Sequence, residues 1–183
     1  DAVHTHIGLC FDVCHQAVEF EDVAASIRLL DREGVRINKV HVSCALQLDD
    51  PQNNTEGRAA LKRYVEPRYL HQTIAGDGNQ RLVSAVDLTH VLIDTPDDEF
   101  LTAETWRVHF HVPVDAERIG PLRTTRPALN EALAAVAKLD YAPHLEVETY
   151  TWGVLPGEDK PDLVTGLTRE LVATRALLEA QCR

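Results

Sequence analysis

Four short stretches of the chain alternate apolar residues with side chains able to bind a metal. In the first, Ile7, Leu9 and Phe11 alternate with Cys10 and Asp12. In the second, Val40, Val42 and Cys44 oppose His41 and Ser43. In the third, Val108, Phe110 and Val112 oppose His109 and His111, and in the fourth, Leu145 and Val147 oppose Glu146 and Glu148. Successive side chains of a strand point to opposite faces, so each stretch predicts a strand with one buried and one polar face. Any fold for this chain has to cover four apolar faces and find a common use for four polar ones.

Between the strands the pattern changes to a helical one. Val23, Ile27 and Leu30 recur at helix spacing, and Gly34 supplies a C-terminal stop. Pro127 follows Thr124 and Thr125, either of which can cap a helix carrying Leu129, Leu133 and Val136. Asp162 precedes a last helix with Leu163, Leu167, Leu171 and Leu178, whose acidic residues Glu170 and Glu179 read as solvated. Strand, helix, strand over the first 46 residues is the βαβ pattern, which implies parallel pairing. Residues 47–103 break the rhythm. They read as an elaborated loop with a short helix from Thr55, a β-hairpin turning at Gly76-Asp77-Gly78-Asn79, and a helix start at Asp87. The expectation is a single α/β domain over residues 1–183: four parallel strands at about residues 6–13, 38–46, 105–114 and 144–151, with the hairpin region inserted. Helices on one face and polar residues at the strand ends on the other are the arrangement of a (β/α)8 barrel, of which four strands make half.

The chain has 183 residues, with 29 Asp+Glu against 18 Lys+Arg and a formal charge of −11. That balance argues against nucleic acid and against an anionic membrane surface, because both require cations. No apolar run approaches the roughly 20 residues needed to span a bilayer. No secretory leader opens the sequence, so Cys10, Cys14, Cys44 and Cys182 read as reduced thiols of a cytoplasmic protein. There is no Met, and the expectation is that the chain is the C-terminal part of something longer. Motifs for an α/β-hydrolase elbow, a phosphate loop, a dinucleotide fold and a zincin are all missing.

Asp12, His41, His109 or His111, and Glu148 would meet at one end of a parallel sheet. A mixed carboxylate and imidazole set suits zinc, manganese, cobalt or iron better than calcium. His15, three residues beyond Asp12, can join it.

Gly8-Leu-Cys-Phe-Asp-Val-Cys-His15 resembles the G-x-x-x-D-x-x-H strand of the xylose-isomerase-like TIM barrels, which include sugar phosphate isomerases and epimerases and AP endonucleases. Lys39-Val-His-Val-Ser43 and Leu145-Glu-Val-Glu-Thr149 resemble two later strands of that superfamily. The segments His41–Leu46, Trp106–Val114 and Glu146–Trp152 are similar to the EboE branch, described as metabolite traffic proteins. The resemblance implies that this is the C-terminal half of a TIM barrel, completed by a missing N-terminal half or by a homodimer. It implies Asp12, His41 and Glu148 as ligands of a divalent metal, with Glu148 also the catalytic base, and His15 as an extra ligand. His109 and His111 have no counterpart in the general pattern. His71 lies roughly where the endonucleases carry a D-x-H pair, but Tyr69 stands in place of the aspartate. The function implied is a metal-dependent isomerase or epimerase acting on a small sugar-like or polyol metabolite. The alternatives are a metabolite-binding or traffic protein without turnover, and a metal-dependent endonuclease or phosphodiesterase.

Overall fold

A computed structural model of the chain describes residues 6–76, 81–157 and 161–181. The elements are β1 (Leu9–Asp12), α1 (Val13–Val18), α2 (Val23–Arg32), β2 (Ile37–Val42), β3 (Cys44–Asp49) and α3 (Thr55–Leu61). A 3-10 turn (Lys62–Tyr64), β4 (Thr73–Gly76), β5 (Leu82–Ala85), α4 (His90–Asp94) and α5 (Asp98–Leu101) come next. The last are β6 (Thr105–Val112), β7 (Arg118–Ile119), β8 (Leu122–Thr124), α6 (Arg126–Val136), β9 (His144–Val147), a 3-10 turn (Tyr150–Gly153) and α7 (Leu163–Gln181).

The strands form two sheets. One has three strands in the order β1-β2-β9, all parallel. The other has six in the order β5-β4-β6-β3-β8-β7, all antiparallel. The expected half of a TIM barrel, with four parallel strands, is therefore wrong. The stretches at residues 6–13, 38–46 and 144–151 do contribute parallel strands. The stretch at 105–114 does not: β6 pairs antiparallel with β3 and β4.

The reason lies in the insertion. Asp50 N–H donates to the Glu104 carbonyl at 2.8 Å, so residues 51–103 leave and return at one point. A chain that comes back where it left runs antiparallel to the strand it left, as in a hairpin. The alternation along β6 is the same for either direction, so the pattern did not distinguish them.

A second departure lies at Ser43. The single expected strand over 38–46 is two strands: β2 belongs to the parallel sheet and β3 to the antiparallel one. The chain crosses from one sheet to the other with one intervening residue. This crossing brings the end of the parallel sheet against β6.

The core fills the space between these sheets and their helices. Trp106, Phe110, Leu46, Leu48, Ile27, Leu129 and Leu133 are all fully buried. Each such side chain contributes about 1.5–3 kcal/mol of transfer free energy. α2 is capped by Asp22, whose Oδ1 accepts from Ala25 N at 2.8 Å, and it buries Val23 and Ile27. Asp162 caps α7, accepting from Val164 N and Thr165 N at 3.0 and 3.1 Å. Thr89, not Asp87, caps α4, and Thr125 Oγ1 accepts from Ala45 N on β3 instead of capping α6.

Glu170, read as solvated, is fully buried. Its carboxylate accepts from Val114 N at 3.0 Å, Thr149 Oγ1 at 2.5 Å and Trp152 Nε1 at 2.9 Å. It thus pins the 3-10 turn after β9 beneath α7. Gly166 lets the helix come this close, since a Cβ there would stand 2.5 Å from the Trp152 ring. The turn residues Asp77–Asn79 of the hairpin and Cys182 lie outside the described residues, while β4 and β5 on either side pair antiparallel. Among the described residues no helix is long and apolar enough to cross a membrane.

Candidate metal centre

The polar faces of β1, β2 and β9 are one surface. Register pairs Asp12 with His41 and His41 with Glu146, so Glu148 falls just beyond the end of β9. Glu148 N–H donates to Val42 O at 3.2 Å, extending the pairing to that residue. The three C-terminal strand ends thereby present Asp12, His41 and Glu148 side by side.

Asp12 ends β1 and N-caps α1. Its Oδ1 accepts from His15 N at 3.1 Å and from Ser43 Oγ at 3.1 Å. Ser43 in turn accepts from Cys14 N at 3.0 Å. Ser43 therefore fixes both the ligand candidate and the first turn of α1 at the point where the chain changes sheets. His41 Nδ1 lies 3.2 Å from Asp12 Oδ2 and 2.9 Å from Glu148 Oε2. Its Nε2 lies 3.4 Å from Cys10 Sγ. The side chains of Asp12, His41 and Glu148 are 18%, 16% and 29% exposed, enough to be reached from solvent.

These separations match a metal's coordination edges. Donors at about 2.0–2.2 Å from an ion and at right angles to each other stand about 3 Å apart. The two separations from His41 Nδ1 to the carboxylates, 2.9 and 3.2 Å, are close to that edge length. The two carboxylates come together with His111 as well: ligand atoms of Asp12, His111 and Glu148 lie within 4.8 Å of one another.

The two carboxylates are driven apart in their protonation. Burial pushes Asp12 up, but the His15 N–H and the imidazoles of His111, His15 and His41 outweigh it and hold the carboxyl low. Glu148 is pushed up, first by burial and then by the adjacent Asp12 carboxylate, against the pull of His41. One carboxylate stays ionised while its neighbour takes a proton more readily.

His109 and His111 reach this end from the other sheet. His111 Nδ1–H donates to the Glu148 backbone carbonyl, and its Nε2 lies 3.1 Å from His109 Nε2. Burial, with neighbouring histidines, lowers His109 to about 3, and burial lowers His111 as well. His15 is exposed and outside the carboxylate set, its ring 4.1 Å from that of His109. Tyr150 lies against His111 with ring centroids 4.5 Å apart, and burial lifts its phenol to about 12.

Sequence reasoning missed three participants. Ser43 was read only as the polar alternate of its strand. Cys10 and Cys14 were read only as reduced thiols; Cys10 is exposed beside His41, and Cys14 is buried in the first turn of α1. Their signal is proximity along the chain to Asp12 and His41. On the rim, Lys39 Nζ pairs with Glu146 Oε2 at 2.8 Å, so Glu146 is engaged. His71 is fully buried and held by Glu66, away from the carboxylate set.

No family model matches the chain, and comparisons with curated proteins and with solved structures gave no match.

Proposed function

We propose that the protein binds a divalent metal such as manganese, iron, cobalt or zinc through Asp12, His41 and Glu148 and acts on a small sugar-like or polyol metabolite as an isomerase or epimerase. The observation that carries the proposal is the His41 imidazole at 2.9 and 3.2 Å from two carboxylates on a solvent-accessible face. Such an ion binds adjacent substrate oxygens and stabilises negative charge that develops on them. Asp12, held ionised, supplies a fixed anionic ligand. Glu148, whose carboxyl is raised by burial and by the Asp12 carboxylate, is the group suited to take a proton from carbon and return it. Tyr150 and Lys39 border the face with a hydroxyl and an ammonium able to orient substrate oxygens. The substrate class rests on the resemblance of the strand motifs.

The test is solvent deuterium exchange. Protein loaded with Mn2+ or Co2+ is incubated in D2O with a panel of aldoses, ketoses and their phosphates. The expected outcome is deuterium at the carbon next to the carbonyl, lost in Glu148→Gln. Metal binding with no exchange across the panel contradicts the isomerase.

A second reading, a metabolite-binding protein without turnover, is favoured by one observation. Glu146, the other carboxylate on this face, is engaged by Lys39. If Glu148 serves wholly as a ligand, no second base stands beside it on that strand. Metal-dependent metabolite binding without exchange supports this reading.

A further inference from the structure

We infer that Cys14, His109 and His111 form a second cation site, of thiolate–imidazole type, that takes a zinc-class ion. The side chains of Asp12, His41 and Glu148 play no part in it, so it extends the molecule's chemistry beyond the carboxylate centre.

The ligand atoms of Cys14, His109 and His111 lie within 4.8 Å of one another. They come from two elements that are locked together. His109 and His111 are alternate residues on one face of β6, and Cys14 is in the first turn of α1. Ser43 holds that turn at its start through Cys14 N–H. Arg107, on the same strand face, holds the other end by donating from Nη1 to Ala17 O at 2.6 Å, with its guanidinium 4.2 Å from the Phe20 ring centroid. The thiol is thus carried to the two imidazoles by a helix clamped at both ends.

The two imidazoles are set up as ligands. Their Nε2 atoms stand 3.1 Å apart, near the roughly 3.3 Å edge of two nitrogens bound at about 2.0–2.1 Å to a tetrahedral ion. His111 donates its Nδ1–H to the Glu148 carbonyl, which can only accept, so the Nε2 lone pair faces His109 and Cys14. A metal-binding histidine is normally oriented in this way, through its other nitrogen. The His109 carbonyl accepts from His71 Nδ1 at 3.0 Å, and His71 is anchored through Nε2 to Glu66 at 2.8 Å. That chain of bonds fixes the backbone from which His109 projects.

The donor set selects the ion. One sulfur and two imidazoles suit zinc and disfavour calcium or magnesium, which require oxygen. Three protein ligands leave a fourth tetrahedral position for water. Binding replaces the Cys14 thiol proton, which leaves to solvent, and the sulfur–metal bond forms in its place.

Cobalt(II) reports the two centres separately, because only a thiolate ligand gives a near-ultraviolet sulfur-to-cobalt charge-transfer band. Reduced, chelator-treated protein is titrated with Co2+, and bound metal is counted by mass spectrometry of the native protein. The expected result is a charge-transfer band and two ions per chain. Cys14→Ser loses the band and one ion. Cys10→Ser keeps both. Asp12→Asn with His41→Ala keeps the band and loses the other ion. Circular dichroism checks that each variant is folded. If Cys14→Ser does not fold, His109→Asn carries the same test, with loss of the band expected. Cobalt bound without a charge-transfer band overturns the Cys14 site and leaves the carboxylate centre standing. A band with a single ion, surviving Asp12→Asn with His41→Ala, supports the Cys14 site and overturns the carboxylate centre. A band that follows Cys10→Ser, or no cobalt bound, overturns the inference.

Discussion

His41 and His71 both sit beside glutamates, and they differ in what is left over. His71 is fully buried, with its ring 4.6 Å from that of Phe110. Its Nδ1 faces the His109 carbonyl and its Nε2 faces Glu66, which also accepts from the N–H groups of Arg68 and Tyr69 at 2.8 and 3.0 Å. A backbone carbonyl and a multiply bonded carboxylate thus face the two ring nitrogens of His71. Both ring nitrogens there have partners, and neither is open to a ligand. His41 has two carboxylates on one nitrogen and an exposed thiol on the other, and its neighbours open to solvent. One pairing chemistry thus builds a closed anchor under β6 and an open donor set at the end of the parallel sheet. A histidine–carboxylate contact becomes a site only where donor capacity is left unspent.

The largest effect separating the two regions is on stability. His71→Ala leaves Glu66 without its imidazole partner and strips the His109 carbonyl of its contact with the ring. Removing one partner of a buried hydrogen bond costs about 1–3 kcal/mol, and more where the stranded group is charged. Glu66 retains some exposure, so about 3 kcal/mol is expected, read as a lower urea midpoint. A loss under 1 kcal/mol would show that His71 is not the anchor described.

The opposite is expected at the open site. Glu148→Gln removes one of two adjacent negative charges, so metal-free protein keeps its stability or gains up to about 1 kcal/mol. Metal affinity at the carboxylate centre falls by about 100-fold or more. Urea unfolding with and without Mn2+ measures both. Destabilisation of the metal-free protein beyond about 1 kcal/mol would make Glu148 a structural residue.

Acid should act through the histidines at the meeting of the sheets. His109 lies at about 3 in the folded chain, against about 6.5 for an unperturbed imidazole. Between those values the unfolded chain binds the extra proton and the folded one does not. Stability is therefore full above about pH 6.5 and declines steadily as pH falls toward 3. Thermal unfolding followed from pH 7.5 to 4 checks this. His109→Gln should flatten the slope, and an unchanged slope would place the acid response elsewhere.

The smallest effect concerns thiols. Cys10 is exposed, while Cys14 and Cys44 are buried, and burial raises the thiols of both. Cys10 should be alkylated well before those two, and unfolded, unreduced protein should give four free thiols. Equal rates for Cys10 and Cys14 would contradict the packing of α1 on β6.

The sequence carried the donors further than the fold. Alternation put Asp12, His41 and Glu148 each on the polar side of its own stretch, because a period of two ties a residue's face to its number whatever the sheet. It carried no information on strand direction, and β6 was misassigned for that reason. Direction was decided by the Asp50–Glu104 contact, between residues 54 apart in the chain with no local signature. Ser43 was equally silent: a strand that changes sheets keeps its alternation, so β2 and β3 read as one. Glu170 failed differently. A lone acid on an amphipathic helix reads as solvated until the donors of Val114, Thr149 and Trp152 arrive from distant elements.

The central claim is that Asp12, His41 and Glu148 hold a metal. Calorimetric titration of Mn2+ into wild-type protein and into His41→Ala tests it most directly, since this hard ion favours the carboxylate set over a thiolate. The account predicts one site per chain in the wild type and a loss of affinity of at least about 100-fold in His41→Ala, with the far-ultraviolet spectrum unchanged. Equal binding by the two proteins, or no binding by the wild type, would contradict it.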